Sequence, residues 1–282
     1  ALGGGGGDVD PRLRVQLRLH RLAHVAVQHD PVLQPAARDL GFELKLYPVP
    51  ADSMQNQSSQ WLSVRRDRPD YMVLYGWGAL NPTAVKEAAK INYPMEKFIS
   101  IWWPGDDDMR SAGAGGKGFK TLNWHAVGTD FPALQDIQKL VVEKGLSQAQ
   151  KNSVGEVLYN RGVYNSMLIA EGIRNAQQLT GKKVVTGEDV RRGLETLDLN
   201  EARLKELGLE GFAGPIKLTC TDHNGHRPAF MQQWDGEKWV KISEPIEPMA
   251  DRVKPLLDAA AKDYAEKSTG WPKRTEPCDK QS

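Results

Sequence analysis

The sequence predicts an α/β fold in which a parallel sheet is flanked by helices. Three observations carry this. Helical and strand-like segments alternate from residue 31 to 143, the signature of strands joined by covering helices. The run Tyr71-Met72-Val73-Leu74-Tyr75 is apolar throughout, as in a strand buried on both faces. It passes through Gly76-Trp77-Gly78-Ala79-Leu80 into Asn81-Pro82, where asparagine suits a cap and proline the first helical position. A strand, a glycine loop and a helix start in that order place backbone amides where open α/β sheets bind ligands.

The elements follow in order. Residues 1–30 stand apart: five glycines precede an arginine-rich alternation, and His20, His24 and His29 are half of the six histidines. The alternation formally resembles an amphipathic strand, but the segment reads as a linker, cloning remnant or translation artefact, with poor order expected. A helix over 31–40 stops at Gly41, and an alternating strand covers 42–49. A helix around Trp61, Leu62 and Val64 ends before Pro69, because the residue preceding proline avoids helical angles. After the 71–75 unit come a strand over 98–103, a glycine-rich stretch over 113–118 and a strand over 121–127. A helix over 131–143 presents Leu134, Ile137, Val141 and Val142 on one face.

Beyond residue 144 helices dominate, over 157–179, 184–197 and 200–207, the second opened by Thr186. Hairpin signals then pair a strand over 215–220 with one over 229–234, and that one with 238–242. Asn224-Gly225 and Asp235-Gly236 suit type I′ turns. A last helix over 248–267 points Met249, Val253, Leu256, Leu257 and Tyr264 towards the core.

The chain of 282 residues balances 37 Lys+Arg against 36 Asp+Glu. Nothing in that charge points to nucleic acid or an anionic membrane surface. No apolar run of about 18 residues suggests membrane insertion. The N-terminus lacks signal-peptide regions, so the signal of an exported form has already been removed. Cys220 and Cys278, the two cysteines, lack metal-ligand spacing. They read either as free thiols or as a disulfide tying the polar tail to the strand that begins at Pro215, and the tail's lack of other anchors favours the disulfide.

Candidate chemistry is sparse. Gly113-Ala114-Gly115-Gly116-Lys117-Gly118 matches a dinucleotide fingerprint but neither follows a strand directly nor opens a helix. Asp222, His223 and His226 could hold a metal, yet turn chemistry accounts for the aspartate. No nucleophile elbow or Ser-His-Asp set is evident. The expectation is therefore no catalysis, no cofactor and no metal. The aromatics say more. Trp77 and Trp103, with Trp102 beside it, fall at the carboxyl ends of two strands, where a crevice would form. Asp106 lies just past them, placed to meet a ligand ammonium or amide.

The ordered motifs resemble a known family. Gln57-Ser58-Ser59-Gln60, Arg68-Pro69-Asp70, Tyr75-Gly76-Trp77, Asn81-Pro82-Thr83 and Lys86-Glu87-Ala88 are similar to the second lobe of type I periplasmic binding proteins of the branched-chain amino acid ABC transporter type. Asn160-Arg161-Gly162-Val163-Tyr164-Asn165, Glu171-Gly172-Ile173-Arg174 and the turns at 222–226 and 232–236 are similar to its later helix and closing hairpin. The resemblance implies a two-lobed fold with the first lobe incomplete: a second α/β lobe over 31–150, a helical part of the first lobe over 151–220, and a closing hairpin, helix and tail over 221–282. It implies an extracytoplasmic, non-catalytic solute-binding protein that delivers an amino acid, amide or aromatic solute to ABC transporter permease subunits. The rival reading is a sensing domain of the same fold. By position, Trp77, Gly78, Ala79, Leu80, Trp103, Asp106 and Tyr164 are the implied ligand contacts.

Overall fold

A computed structural model describes residues 21–26 as backbone, and 33–148, 153–225 and 227–270 in full. Five strands, β1 (Arg21–Ala26), β2 (Glu43–Leu46), β3 (Tyr71–Tyr75), β4 (Phe98–Ser100) and β5 (Lys120–Asn123), run parallel in the order β2-β1-β3-β4-β5. At the β5 edge, β8 (Phe230–Trp234) and β9 (Trp239–Lys241) continue the same sheet antiparallel. The expected parallel sheet is present.

One correction concerns the start of the chain. Residues 21–26 interrupt the atypical segment expected over 1–30, because β1 lies inside the sheet with Leu22 opposite both Leu44 and Tyr71. Without it, β2 and β3 would each carry an unpaired row of backbone donors and acceptors. The rest of that segment lies outside the described residues, as do His226 and Cys278, and with Cys278 the expected disulfide.

Helices α1 (Leu33–Leu40), α2 (Ser58–Asp67), α3 (Leu80–Lys90) and α4 (Asp106–Ala112) alternate with the parallel strands. Helix α2 ends as expected: Arg68 turns left-handed and its N–H donates to the Val64 carbonyl at 2.8 Å, just before Pro69. Strand β3 is less covered than its composition suggested. Met72 and Leu74 are fully buried, but Tyr71 and Val73 only partly and Tyr75 is exposed, so one face of the strand takes the core. Under that face an aromatic column runs from Trp61 to Phe98 (5.5 Å, edge-on), Phe119 (4.8 Å), Trp239 (6.4 Å) and Trp234 (5.4 Å). It joins α2 to the closing hairpin.

A second core gathers Leu134, Val142, Tyr164, Met167, Leu197, Leu199, Leu204, Phe212 and Ile216. It draws on α5 (Pro132–Ile137), α6 (Val157–Thr180), α8 (Glu201–Glu206) and the small sheet of β6 (Asp198–Leu199) with β7 (Ile216–Lys217), while α7 (Gly187–Leu194) packs on α6 through Gly193 against Gly172. Leu134 and Val142, from the 131–143 segment, pack in this second core. A π-turn over Gln138–Val142 follows α5 and rotates its face, leaving Val141 exposed while Val142 is buried. Thr186 caps α7 reciprocally with Asp189: its Oγ1 accepts from the Asp189 N–H at 3.2 Å and Asp189 Oδ2 accepts from the Thr186 N–H at 2.9 Å.

Three further expectations change. The 215–220 strand shrinks to β7 and pairs with β6, so no hairpin joins it to β8; burial of Ile216 beside Leu199 in the second core sets that choice. The two turns are aspartate-bridged, not type I′. Asp222 Oδ1 accepts from the Asn224 and Gly225 N–H groups at 3.0 Å each, and Asp235 Oδ1 from Glu237 and Lys238 at 2.8 and 2.9 Å. Asn224 and Asp235 keep negative φ, because the carboxylate closes the turn instead of the backbone. Helix α9 (Ala250–Lys267) buries no residue, and Met249, Leu257 and Tyr264 are exposed.

Candidate functional site

The strand order 2-1-3-4-5 reverses direction between β1 and β3, and ligands of such sheets sit beyond the carboxyl ends at that reversal. The loop after β3 is shaped by its own packing. A Cβ on Gly76 would lie 2.3 Å from the Leu80 side chain, so only glycine lets Leu80 fold back beneath the loop. Leu80 is fully buried and its carbonyl accepts from Gln57 Nε2 at 3.0 Å. It braces the loop from below, its side chain turned away from the surface on which Trp77 stands. Helix α3 begins two residues earlier than the cap reading placed it, at Leu80 and not Pro82, so Asn81 sits in the first turn, donating to Asp108 Oδ2 at 3.4 Å with its Oδ1 unpartnered. What the brace holds outward is Trp77, 42% exposed, with Gly78 exposed and Ala79 partly buried beside it.

The segment after β4 supplies the neighbouring wall. Trp103 is 44% exposed, and Trp102 stands 6.4 Å behind it and 5.5 Å from Trp124. The chain then passes Gly105, where a Cβ would meet Leu158 at 2.8 Å, into α4. Asp106 is 8% exposed, and its Oδ2 accepts from the Val157 N–H, the first residue of α6, at 2.9 Å. A carboxylate at that point favours the positive end of the helix. Burial pushes the Asp106 carboxyl up from its ordinary value while the Val157 N–H pulls it down. It ties the sheet to α6, and one oxygen is committed to that task. Tyr164 is 1% exposed, stacked 6.2 Å from His125 and 6.4 Å from Phe212 in the second core. Helical spacing from Val157 places it on the buried face of α6, as a platform beneath His125.

The structure adds residues that received no role from the sequence. Arg161, on the same buried face, is 6% exposed and reaches the carboxyl ends of β4 and β5. Its Nε donates to His125 Nε2 at 3.2 Å, its Nη2 to Asn123 Oδ1 at 3.3 Å and its Nη1 to the Trp102 carbonyl, and the guanidinium lies 5.0 Å over the Trp124 ring. With Nε2 accepting, His125 carries its proton on Nδ1 and donates to the Ala126 carbonyl at 3.0 Å. Burial first, and then the Arg161 charge, draw the His125 pKa down to about 4; burial alone draws Arg161 down to about 10. At neutral pH the arginine is charged and the histidine is not. The available signal was an arginine four residues after Val157, on the helix face that also buries Val157, Tyr164 and Met167.

The histidine gives a direct test. Its folded pKa lies below the unfolded value near 6.5, so only the unfolded chain takes up this proton between pH 6.5 and about 4, and stability falls across that window as pH drops. NMR titration is expected to show the His125 imidazole neutral down to about pH 5. A midpoint near 6.5 would contradict the buried geometry.

The dinucleotide-like glycines form a short helical turn between α4 and β5, not a strand-to-helix loop. His223 Nε2 faces Glu195 Oε1 at 3.1 Å, and no group of three His, Cys, Asp or Glu with metal-binding placement occurs among the described residues. No described helix is long and apolar enough to cross a membrane.

With that geometry in view, four likenesses are informative. A family model for periplasmic binding proteins matches residues 30–238. A solved structure described as an ABC transporter permease from the Pseudomonas fluorescens group is 33% identical, with 91% of this chain and 64% of that one covered and a TM-score of 0.78. A branched-chain amino acid ABC transporter protein of Thermus thermophilus with bound valine is 18% identical, with coverage of 87% and 65% and a TM-score of 0.66. A solute binding protein of R. palustris in complex with benzoate is 15% identical, with coverage of 86% and 63% and a TM-score of 0.59. The chain spans less than two thirds of the length of each of these structures. No curated protein matches it.

Proposed function

This chain belongs to the periplasmic binding protein family, and from that premise we propose that it is the extracytoplasmic substrate-binding component of an ABC importer for amino acids or related small amide or aromatic solutes. It binds without catalysis and hands the solute to the importer's permease subunits. The observation that carries the reading is the pair of outward-held tryptophans, Trp77 and Trp103, on adjacent parallel strands at their carboxyl ends. Large indoles left exposed on braced loops are costly as bare surface and apt as walls for an apolar solute body. Gly78 and Ala79 leave room beside Trp77, and Asp106 closes the floor where α6 begins. Bound valine in one similar structure and bound benzoate in another support a small solute with an apolar or aromatic body.

The test is thermal unfolding of the full chain against a panel of leucine, valine, phenylalanine, benzoate and their amides. A ligand at a hundredfold excess over its Kd is expected to add about 2.7 kcal/mol, visible as a rise in midpoint. A panel that moves nothing would sink the reading, and chemical turnover of a bound solute would replace it with an enzyme.

A further inference from the structure

The best-defined electrostatic feature beside the tryptophan walls is a buried cation with no counter-ion. Arg161 is held by an imidazole nitrogen, an amide oxygen and a peptide carbonyl, all neutral. Among the described residues it forms no ion pair, and no carboxylate contributes to its pKa. Taking a guanidinium out of water costs several kcal/mol unless an opposite charge accompanies it. Three hydrogen bonds satisfy three of its five N–H groups, but neutral acceptors leave the charge itself uncompensated.

Its surroundings enforce this. His125 cannot become a better donor or a cation beside it, being buried and low in pKa. Asp106, the nearby buried acid of the loop after β4, is committed to the Val157 N–H. The charge also sits at the functional end of the sheet. Its Nη1 bonds the Trp102 carbonyl, one residue before the exposed Trp103, and Trp103, Trp102 and Trp124 form a continuous aromatic series leading to it.

We propose that Arg161 is the anion receptor of this site and that the solute is a carboxylic acid with an apolar or aromatic body. The solute carboxylate supplies the missing negative charge and accepts from the two unused N–H groups, while the body lies against Trp103 and Trp77. This rests on the solute-binding reading above. A planar guanidinium suits a carboxylate in a way an ammonium does not. A charge-assisted pair of this kind corresponds to roughly ten- to a hundredfold in affinity.

The experiment titrates the 282-residue chain calorimetrically with two matched pairs, benzoate against benzamide and leucine against leucinamide, each pair alike in shape and different in its carboxylate. In whichever pair binds, the acid is expected to bind at least about tenfold tighter than its amide. Arg161→Gln should bring the two within about twofold, and Arg161→Lys should keep a reduced preference. Because Arg161→Gln could fail to fold, the guanidinium NMR resonances of the unmutated protein give a second readout. They should move on saturation with the acid and not with the amide. Equal binding of acid and amide, a preference that survives Arg161→Gln, or guanidinium resonances indifferent to the acid would each overturn the assignment while leaving solute binding intact. Absence of binding by all four probes would instead overturn the solute-binding reading and this assignment with it.

Discussion

Trp77→Ala is expected to weaken solute binding by at least about 1 to 2 kcal/mol while lowering stability by less than about 1 kcal/mol, and Trp61→Ala to lower stability by about 3 to 5 kcal/mol. The two indoles lie about one turn of helix and one strand apart in sequence and differ in what surrounds them. Trp61 is 1% exposed, meets Phe98 edge-on at 5.5 Å and donates its Nε1–H to Gln57 Oε1 at 3.1 Å. Truncation there opens a cavity in the aromatic column and leaves an amide oxygen without its donor. Trp77 is 42% exposed on a loop braced by Leu80, so truncation removes a surface and little packing. Urea midpoints for both variants, with calorimetry on Trp77→Ala, decide the matter. A large loss of stability with unchanged affinity in Trp77→Ala would make that residue ordinary core and strip the site of its rim.

The contrast shows how far sequence carried the site. An aromatic between two glycines after an apolar strand is a local signal, and it located Trp77 correctly at the sheet's carboxyl end. Leu80 and Tyr164 share the neighbourhood in sequence but not in exposure, because a loop residue that folds under its own glycine and a helix residue at core spacing both turn inward. Position in a motif does not show which way such a side chain turns. Arg161, though inside the Asn160–Asn165 motif, and His125 received no role from sequence: their meaning arises from a contact across 36 residues, in which the imidazole accepts and the guanidinium is left without an ion-pair partner among the described residues.

The same division holds for the fold. Helix α2 with its stop at Pro69, strand β3, helix α6 and the capped start of α7 follow from local periodicity and capping. Strand β1 did not, because a run of glycines and arginines concealed six residues whose place is set by the edges of β2 and β3. The partner of β7 likewise depended on which core claims Ile216. In α9 an apolar stripe was read as inward-facing, yet Met249, Leu257 and Tyr264 are exposed, since amphipathicity identifies a face without identifying what lies against it.

Gly193→Ala is expected to cost about 3 kcal/mol, the upper end of ordinary overpacking, although Ala is the better helix former by about 1 kcal/mol. Helices α6 and α7 cross at Gly172 and Gly193. A Cβ on Gly193 would stand 2.1 Å from the Gly172 carbonyl oxygen and 2.7 Å from the Ala176 nitrogen, both backbone atoms that no rotamer change can move. The crossing is also where Asn175 Nδ2 donates to the Gly193 carbonyl at 3.2 Å, so separating the helices breaks a hydrogen bond as well as the packing. Gly187, at the first position of the same helix, has open space around its missing Cβ and no positive φ. Gly187→Ala is therefore expected to be neutral or to stabilise by up to about 1 kcal/mol. Denaturant midpoints of the two variants separate propensity from contact. If both substitutions stabilise alike, the helices do not approach as closely as the structure places them, and the second core, which holds Tyr164 and with it the platform under His125 and Arg161, is assembled differently.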